Sequence, residues 1–151
     1  MRFKGKCVVV TGASSGMGRK IALDFAKEGA TVIAVARRLE RLEEIAKEAE
    51  SFAGKILPYQ GDISLEEVNN GMIDYAVKEC GKLDVLVNNA GIMDEFTPIG
   101  ELTDELYSKV MAVNLNGPIY AMRKAVQVML EQETKGNIVN IASIGGVCGA
   151  R

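Results

Sequence analysis

Histidine is absent from this chain. That one absence removes Ser-His-Asp and Cys-His catalysis together with every histidine-containing zinc site. Cysteine is scarce: Cys7, Cys80 and Cys148 are far apart and odd in number, so they form neither a CxxC pair nor a disulfide framework. A reducing, cytoplasmic setting is expected. No apolar run approaches the roughly 18 to 20 residues that a membrane span needs. The short apolar stretch Cys7-Val8-Val9-Val10, which follows Met1 to Lys6, is too brief for the core of a signal peptide. Neither membrane insertion nor export is therefore expected. Positive charge is not in excess either, since eighteen basic residues against twenty acidic leave a net charge of −2. The strongly basic face of a nucleic-acid binder is excluded. What is present, 48% hydrophobic and 25% charged residues in a length of 151, is the composition of one folded domain with room for one nucleotide-binding half-sheet.

The pattern along the chain alternates strands with helices. Cys7 to Val10 is a continuous apolar run bounded by Lys6 and the turn signal Thr11-Gly12, as in a strand buried on both faces. Ile21, Ala22, Phe25 and Ala26 then recur at helical spacing, with Gly29 as the residue that ends the helix. Thr31 to Val35 repeats the β-branched run, and Leu39, Leu42, Ile45, Ala46 and Ala49 mark one face of a second helix. A third strand is predicted over Lys55 to Tyr59, and a fourth over Leu83 to Val87. Between them Ser64-Leu65-Glu66-Glu67 carries a capping-box pattern, and Gly81 ends the helix it opens. Thr103 is the expected N-cap of a long helix toward Glu133, kinked around Asn114 to Pro118 and closed by Gly136. Asn137 to Ile141 is the fifth strand, followed by a Gly-rich end, Gly145 to Gly149. Right-handed βαβ units give a parallel sheet with helices on both faces, and the expected strand order is 3-2-1-4-5. Ligands of such sheets bind beyond the carboxyl ends of the strands, where the order reverses.

At that point stands Thr11-Gly12-Ala13-Ser14-Ser15-Gly16-Met17-Gly18. Its glycines permit a tight turn, close approach of a pyrophosphate to the backbone, and close packing of helix on strand. The helix N-terminus adds N–H groups and partial positive charge. The spacing differs from G-x-G-x-x-G, and no Gly-Lys-Ser/Thr follows, so P-loop chemistry is disfavoured.

This loop resembles the T-G-x-x-x-G-x-G of the short-chain dehydrogenase/reductase family. Asn88-Asn89-Ala90-Gly91 is similar to that family's N-N-A-G, Asn114 to its mid-helix catalytic asparagine, and Ser143 to its catalytic serine. The resemblance extends over almost the whole chain and implies a Rossmann-type doubly wound α/β fold. It also implies a nicotinamide-dependent oxidoreductase that interconverts a small-molecule alcohol and carbonyl, working as a homo-oligomer with the helix 103–133 as a contact element. In that scheme Gly12, Ser14, Ser15, Gly16, Met17 and Gly18 bind the cofactor together with Asp62, Ile63, Asn89, Ala90 and Gly91. Ser143 orients the substrate oxygen and Asn114 anchors a water of the proton path. A tyrosine, tuned by a lysine four residues on, exchanges the proton.

Cofactor choice is read after the second strand. Ala36 stands where an acid would hold the 2′-hydroxyl of NAD, and Arg37 and Arg38 follow, whose donor forks suit a 2′-phosphate. NADP is expected over NAD. The family's Tyr-x-x-x-Lys lies farther beyond the serine than the eight residues that follow Ser143, so it is expected after Arg151, which makes residues 1–151 a single dinucleotide-binding domain incomplete at its carboxyl end. Tyr120 and Lys124 match the spacing but precede Ser143, and as i, i+4 neighbours they read as an ordinary helix face. Two alternatives stay open: a non-catalytic NADP-binding module complete at Arg151, and a methyltransferase using the same switch point. The second is weakened by the missing acid after the second strand. Cys148, without a basic partner, reads as passive, and Phe96 to Ile99 as a border of the substrate space.

Overall fold

The computed structural model describes residues 1–93 and 96–146. Its centre is β1, Cys7–Thr11, whose five residues are all buried. A strand buried on both faces needs apolar side chains of both parities. Val8 and Val10 accordingly point to one helical layer, and Cys7 and Val9 to the other. β2 (Thr31–Ala36) and β4 (Val85–Asn88) flank it, and β3 (Lys55–Gln60) and β5 (Asn137–Asn140) lie outside them. All pairs are parallel and the order is β3-β2-β1-β4-β5, the expected doubly wound arrangement.

One face is covered by α1 (Gly16–Lys27) and α2 (Leu39–Glu48), which bury Leu23, Ala26, Leu42 and Ile45 against Val8, Val10 and Val32. The other is covered by α3 (Glu66–Cys80) and α5 (Gly117–Glu131), through Met72, Ile73, Ala121 and Ala125 against Val9, Ile33 and Leu86. The short α4 (Asp104–Met111) precedes α5 and is capped as expected, the Leu106 N–H donating to Thr103 Oγ1 at 3.2 Å.

Three local expectations are corrected. Ser64 does not cap α3: the helix begins at Glu66, Leu65 is its N-cap, and no side chain caps it. The Asp62 carboxylate captures the Ser64 N–H at 3.0 Å and turns the chain there. Gly136 does not close the long helix. α5 ends at Glu131, because the Gln132 amide leaves the helical path to clamp both backbone groups of Leu83, accepting from its N–H at 3.1 Å and donating to its carbonyl at 2.8 Å. Asn88 belongs to β4 and is buried there, rather than to the loop. The expected break around Asn114 to Pro118 takes a definite form, a π turn over Ala112–Asn116 that joins α4 to α5, with Pro118 the second residue of α5.

At the amino ends of the strands the buried Asp84 carboxylate accepts from Lys6 Nζ at 2.8 Å and the Cys7 N–H at 2.9 Å, with Lys82 Nζ at 3.1 Å. Burial pushes its pKa up, but these three donors outweigh it and hold the carboxyl below its ordinary value.

Candidate functional site

At the opposite, carboxyl ends of the strands a cleft of about 640 Å³ opens. Every residue named from the sequence for cofactor binding lines it except Gly16: Gly12, Ser14, Ser15, Met17 and Gly18 from the β1–α1 loop, Arg37 and Arg38 after β2, Asp62 and Ile63 after β3, and Asn89, Ala90 and Gly91 after β4. Four loops that are distant in sequence converge because all four parent strands run the same way.

Thr11 ties two of these loops together from behind the lining. Its buried Oγ1 accepts from the Asn89 N–H at 3.0 Å and the Ala90 N–H at 3.1 Å, while Asn89 Nδ2 donates to the Thr11 carbonyl at 2.9 Å. The loops after β1 and β4 are thereby stitched into one surface. Gly12 makes that stitch possible. Its φ is +68°, and a Cβ there would lie 2.8 Å from Ala90 Cα and 2.9 Å from Asn89 Nδ2. The glycine is needed for close packing of two loops as well as for any ligand's approach. Gly16, also at positive φ, has open space where its Cβ would be.

The electrostatics favour an anion. α1 starts without a side-chain cap and without an acidic residue in its first turn, so its leading N–H groups and dipole meet the cleft uncompensated by protein. Across from it Arg38 Nη2 lies 3.4 Å from Ser14 Oγ. Residues at the cleft thus fit a dinucleotide phosphate: bare helix N–H groups, a glycine loop and two exposed arginines.

Asn114 sits in the π turn beside the cleft. Its Oδ1 accepts from the Ile92 N–H and its Nδ2 donates to the Ile92 carbonyl, both at 2.8 Å. The side-chain amide thus clamps the loop after β4 with one donor and one acceptor position, which leaves its second N–H and second lone pair for a water. Ser143 follows β5, is exposed, and accepts from the Gly145 N–H at 3.2 Å. It does not line the cleft. Tyr120 and Lys124 are engaged as helix-surface residues: Lys124 Nζ pairs with Asp74 at 2.7 Å, and the Arg123 guanidinium lies 5.4 Å from the Tyr120 ring centre. Phe96 and Ile99 are exposed and lie outside the cleft lining. Burial, reinforced by contact with Cys80 and the Asp84 charge, pushes the Cys7 thiol far up, which makes it inert as a nucleophile. Cys148 and the remainder of the Gly-rich end lie outside the described residues.

Sequence reading places Thr11 in the glycine motif without a role of its own, and passes over Ile92 and Gly117. The last is the point where α5 meets the loop after β3, for a Cβ on it would lie 2.6 Å from the Ile63 carbonyl oxygen. A hydroxyl residue ending an otherwise apolar strand, and a glycine directly before Pro118, were the available signals.

The sequence pattern of the family described as short chain dehydrogenase matches residues 6–151. A 3beta-hydroxysteroid dehydrogenase 2 of Eggerthella lenta is 38% identical over 147 residues, covering 97% of this chain and 56% of that protein. An NAD+-bound xylitol dehydrogenase superposes with a TM-score of 0.92 at 31% identity, over 99% of this chain and 57% of its own. A metagenomic short-chain oxidoreductase in complex with NADP superposes with 0.90 at 31% identity, over 97% of this chain and 66% of its own. The chain spans little more than half the length of the curated relative. The two solved structures hold different cofactors, so likeness of fold leaves the choice to the residues after β2.

Proposed function

Since the chain belongs to the short-chain dehydrogenase family, we propose that residues 1–151 are the dinucleotide-binding part of an NADP-dependent oxidoreductase that interconverts a small-molecule alcohol and carbonyl. The observation that carries this reading is the convergence of the four predicted loops on one cleft with Arg37 and Arg38 at its rim and no acid at position 36. When bound, the nicotinamide cofactor supplies or takes up a hydride. The chain's own part is to receive the pyrophosphate on the leading N–H groups of α1, the 2′-phosphate on Arg37 and Arg38, and the adenine end beside Asp62 and Ile63. Asn114, by clamping Ile92, sets the position of the loop after β4.

The proton-transferring tyrosine and its lysine belong, in this proposal, to sequence following Arg151. Supporting this, Lys124 is committed to Asp74, and the Eggerthella relative is nearly twice as long as the matched region. Ser143 serves to orient the substrate oxygen. A homo-oligomer is supported by the apolar side chains exposed along α4, the π turn and α5, namely Tyr107, Leu115, Ile119, Val126 and Leu130.

The direct test is titration of the chain with NADPH and NADH. A charge-assisted phosphate contact contributes about 1.5–3 kcal/mol, so NADPH should bind roughly ten- to a hundredfold more tightly. Equal affinities would defeat the NADP assignment, and no binding of either would defeat the dinucleotide reading. The rival, a binding module that ends at Arg151, is tested by the intact mass of the protein from its source: a mass of 16.2 kDa would favour it.

A further inference from the structure

β2 and β3 run in register with Ala36 opposite Gln60, and the Gly61 N–H donates to the Ala36 carbonyl at 3.0 Å. There the ladder stops, because the chain turns away through Gly61 and Asp62 toward α3. The next carbonyl along, that of Arg37, receives its hydrogen bond from a side chain instead: Gln60 Nε2 donates to it at 3.0 Å. A carbonyl only accepts, so the amide's NH2 end must face it and the orientation of the side chain follows from the chemistry. Gln60 thus ties the first peptide beyond β2 back to the end of β3.

That carbonyl belongs to the planar peptide joining Arg37 to Arg38. Holding it restrains the last dihedral of Arg37 and the first of Arg38, and with them the direction in which the Arg38 side chain leaves the backbone relative to that of Arg37. Both arginines line the cleft, and Arg38 is turned onto Ser14 of the glycine loop. Gln60 does not line it. We propose that Gln60 is a positioning residue for cofactor choice, which aims the Arg37–Arg38 pair at a 2′-phosphate without touching the cofactor. This rests on the NADP reading above. Gln60, Arg37 and Arg38 are all exposed, so water can replace the amide on the carbonyl and the fold survives its loss. What goes is the preorganisation of two long cationic side chains, which must then be ordered at the moment of binding.

The test is a pair of titrations, NADPH and NADH, on the unmodified chain, on Gln60→Met, which keeps the length and removes the donor, and on Gln60→Asn, which is too short to reach. Melting temperature serves as the control for folding. The expected result is a roughly five- to tenfold loss of NADPH affinity, the size of one net hydrogen bond, with NADH affinity and melting temperature unchanged. In an Arg37→Ala, Arg38→Ala background the same substitutions should have no effect, because nothing remains to be aimed. If the unmodified chain prefers NADPH and both Gln60 variants keep that preference, the positioning role is wrong while the NADP reading stands. Equal losses for both cofactors would show a merely structural role and overturn the proposal. If the unmodified chain has no preference, the NADP reading fails first and takes the proposal with it.

Discussion

Arg37 and Gly12 illustrate two kinds of side-chain requirement at the cleft, one for charge and one for the absence of atoms. Arg37→Asp places a carboxylate where the 2′-phosphate is proposed to lie, and the expected outcome in a titration is reversal of the cofactor preference, with NADH bound more tightly than NADPH. Gly12→Val forces a β-branched residue to φ +68° and drives its Cβ into Ala90. Loss of cofactor binding is expected together with a lowered melting temperature, because the loops after β1 and β4 must separate. Thr11 adds a third case. Thr11→Val is nearly isosteric but leaves the Asn89 and Ala90 N–H groups without their acceptor, and a destabilisation of about 2 kcal/mol in urea unfolding is expected. The glycines and arginines were legible in the sequence because their meaning is local: a pattern between a strand and a helix. Thr11 was not, since its partners lie 78 and 79 residues away.

Among the elements, β1 and β4 are joined at both ends, and the two ends respond to different variables. The clasp at the amino end is the Asp84 carboxylate with Lys6, the Cys7 N–H and Lys82. Its folded pKa lies below the ordinary 3.8. The resulting stabilisation is complete above that ordinary value and disappears as the pH falls through the lowered one. Unfolding measured between about pH 6 and about pH 3 should therefore show an acid-labile component that Asp84→Asn removes. Asp84→Ala, which leaves the buried Cys7 N–H without its acceptor while water takes over the two part-exposed lysines, should cost about 1–2 kcal/mol near neutrality. The helices show why element ends were harder to place than element cores. Ser64 has the right spacing for a cap, and Gly136 the right type for a stop. Yet Asp62, Asn69 and Gln132 carry acceptors or amides that reach competing backbone groups, and those bonds decide where each helix begins or ends. Gln132 and Asn114 act alike, each gripping both backbone groups of one residue in a neighbouring segment.

For the whole molecule the expected outcome is that residues 1–151 bind NADPH without catalysing hydride transfer at a useful rate. General acid–base catalysis contributes about 10²- to 10⁴-fold, and the only tyrosine–lysine pair at the required spacing is engaged elsewhere, Lys124 with Asp74. An NADPH oxidation assay on a panel of ketones checks this, using the chain, its Tyr120→Phe variant and any longer form. Activity in the chain that vanishes with Tyr120→Phe would make that pair catalytic after all. The alternation of strands and helices, the two helical layers and the four loops at the cleft were already determined by the sequence, through continuous apolar runs such as Val8 to Val10, helical periodicity such as Leu42 and Ile45, and glycines at strand ends. Each is a signal written within a few residues, and the right-handed crossover rule narrows such signals to a few doubly wound topologies, among which the packed sheet shows the order β3-β2-β1-β4-β5. Only the tertiary structure decided that Thr11 stitches the loops after β1 and β4, that Gln60 holds the Arg37 carbonyl, and that Asn114 clamps Ile92. A hydroxyl or carboxamide can satisfy any backbone group within reach, and which group that is depends on how distant segments pack.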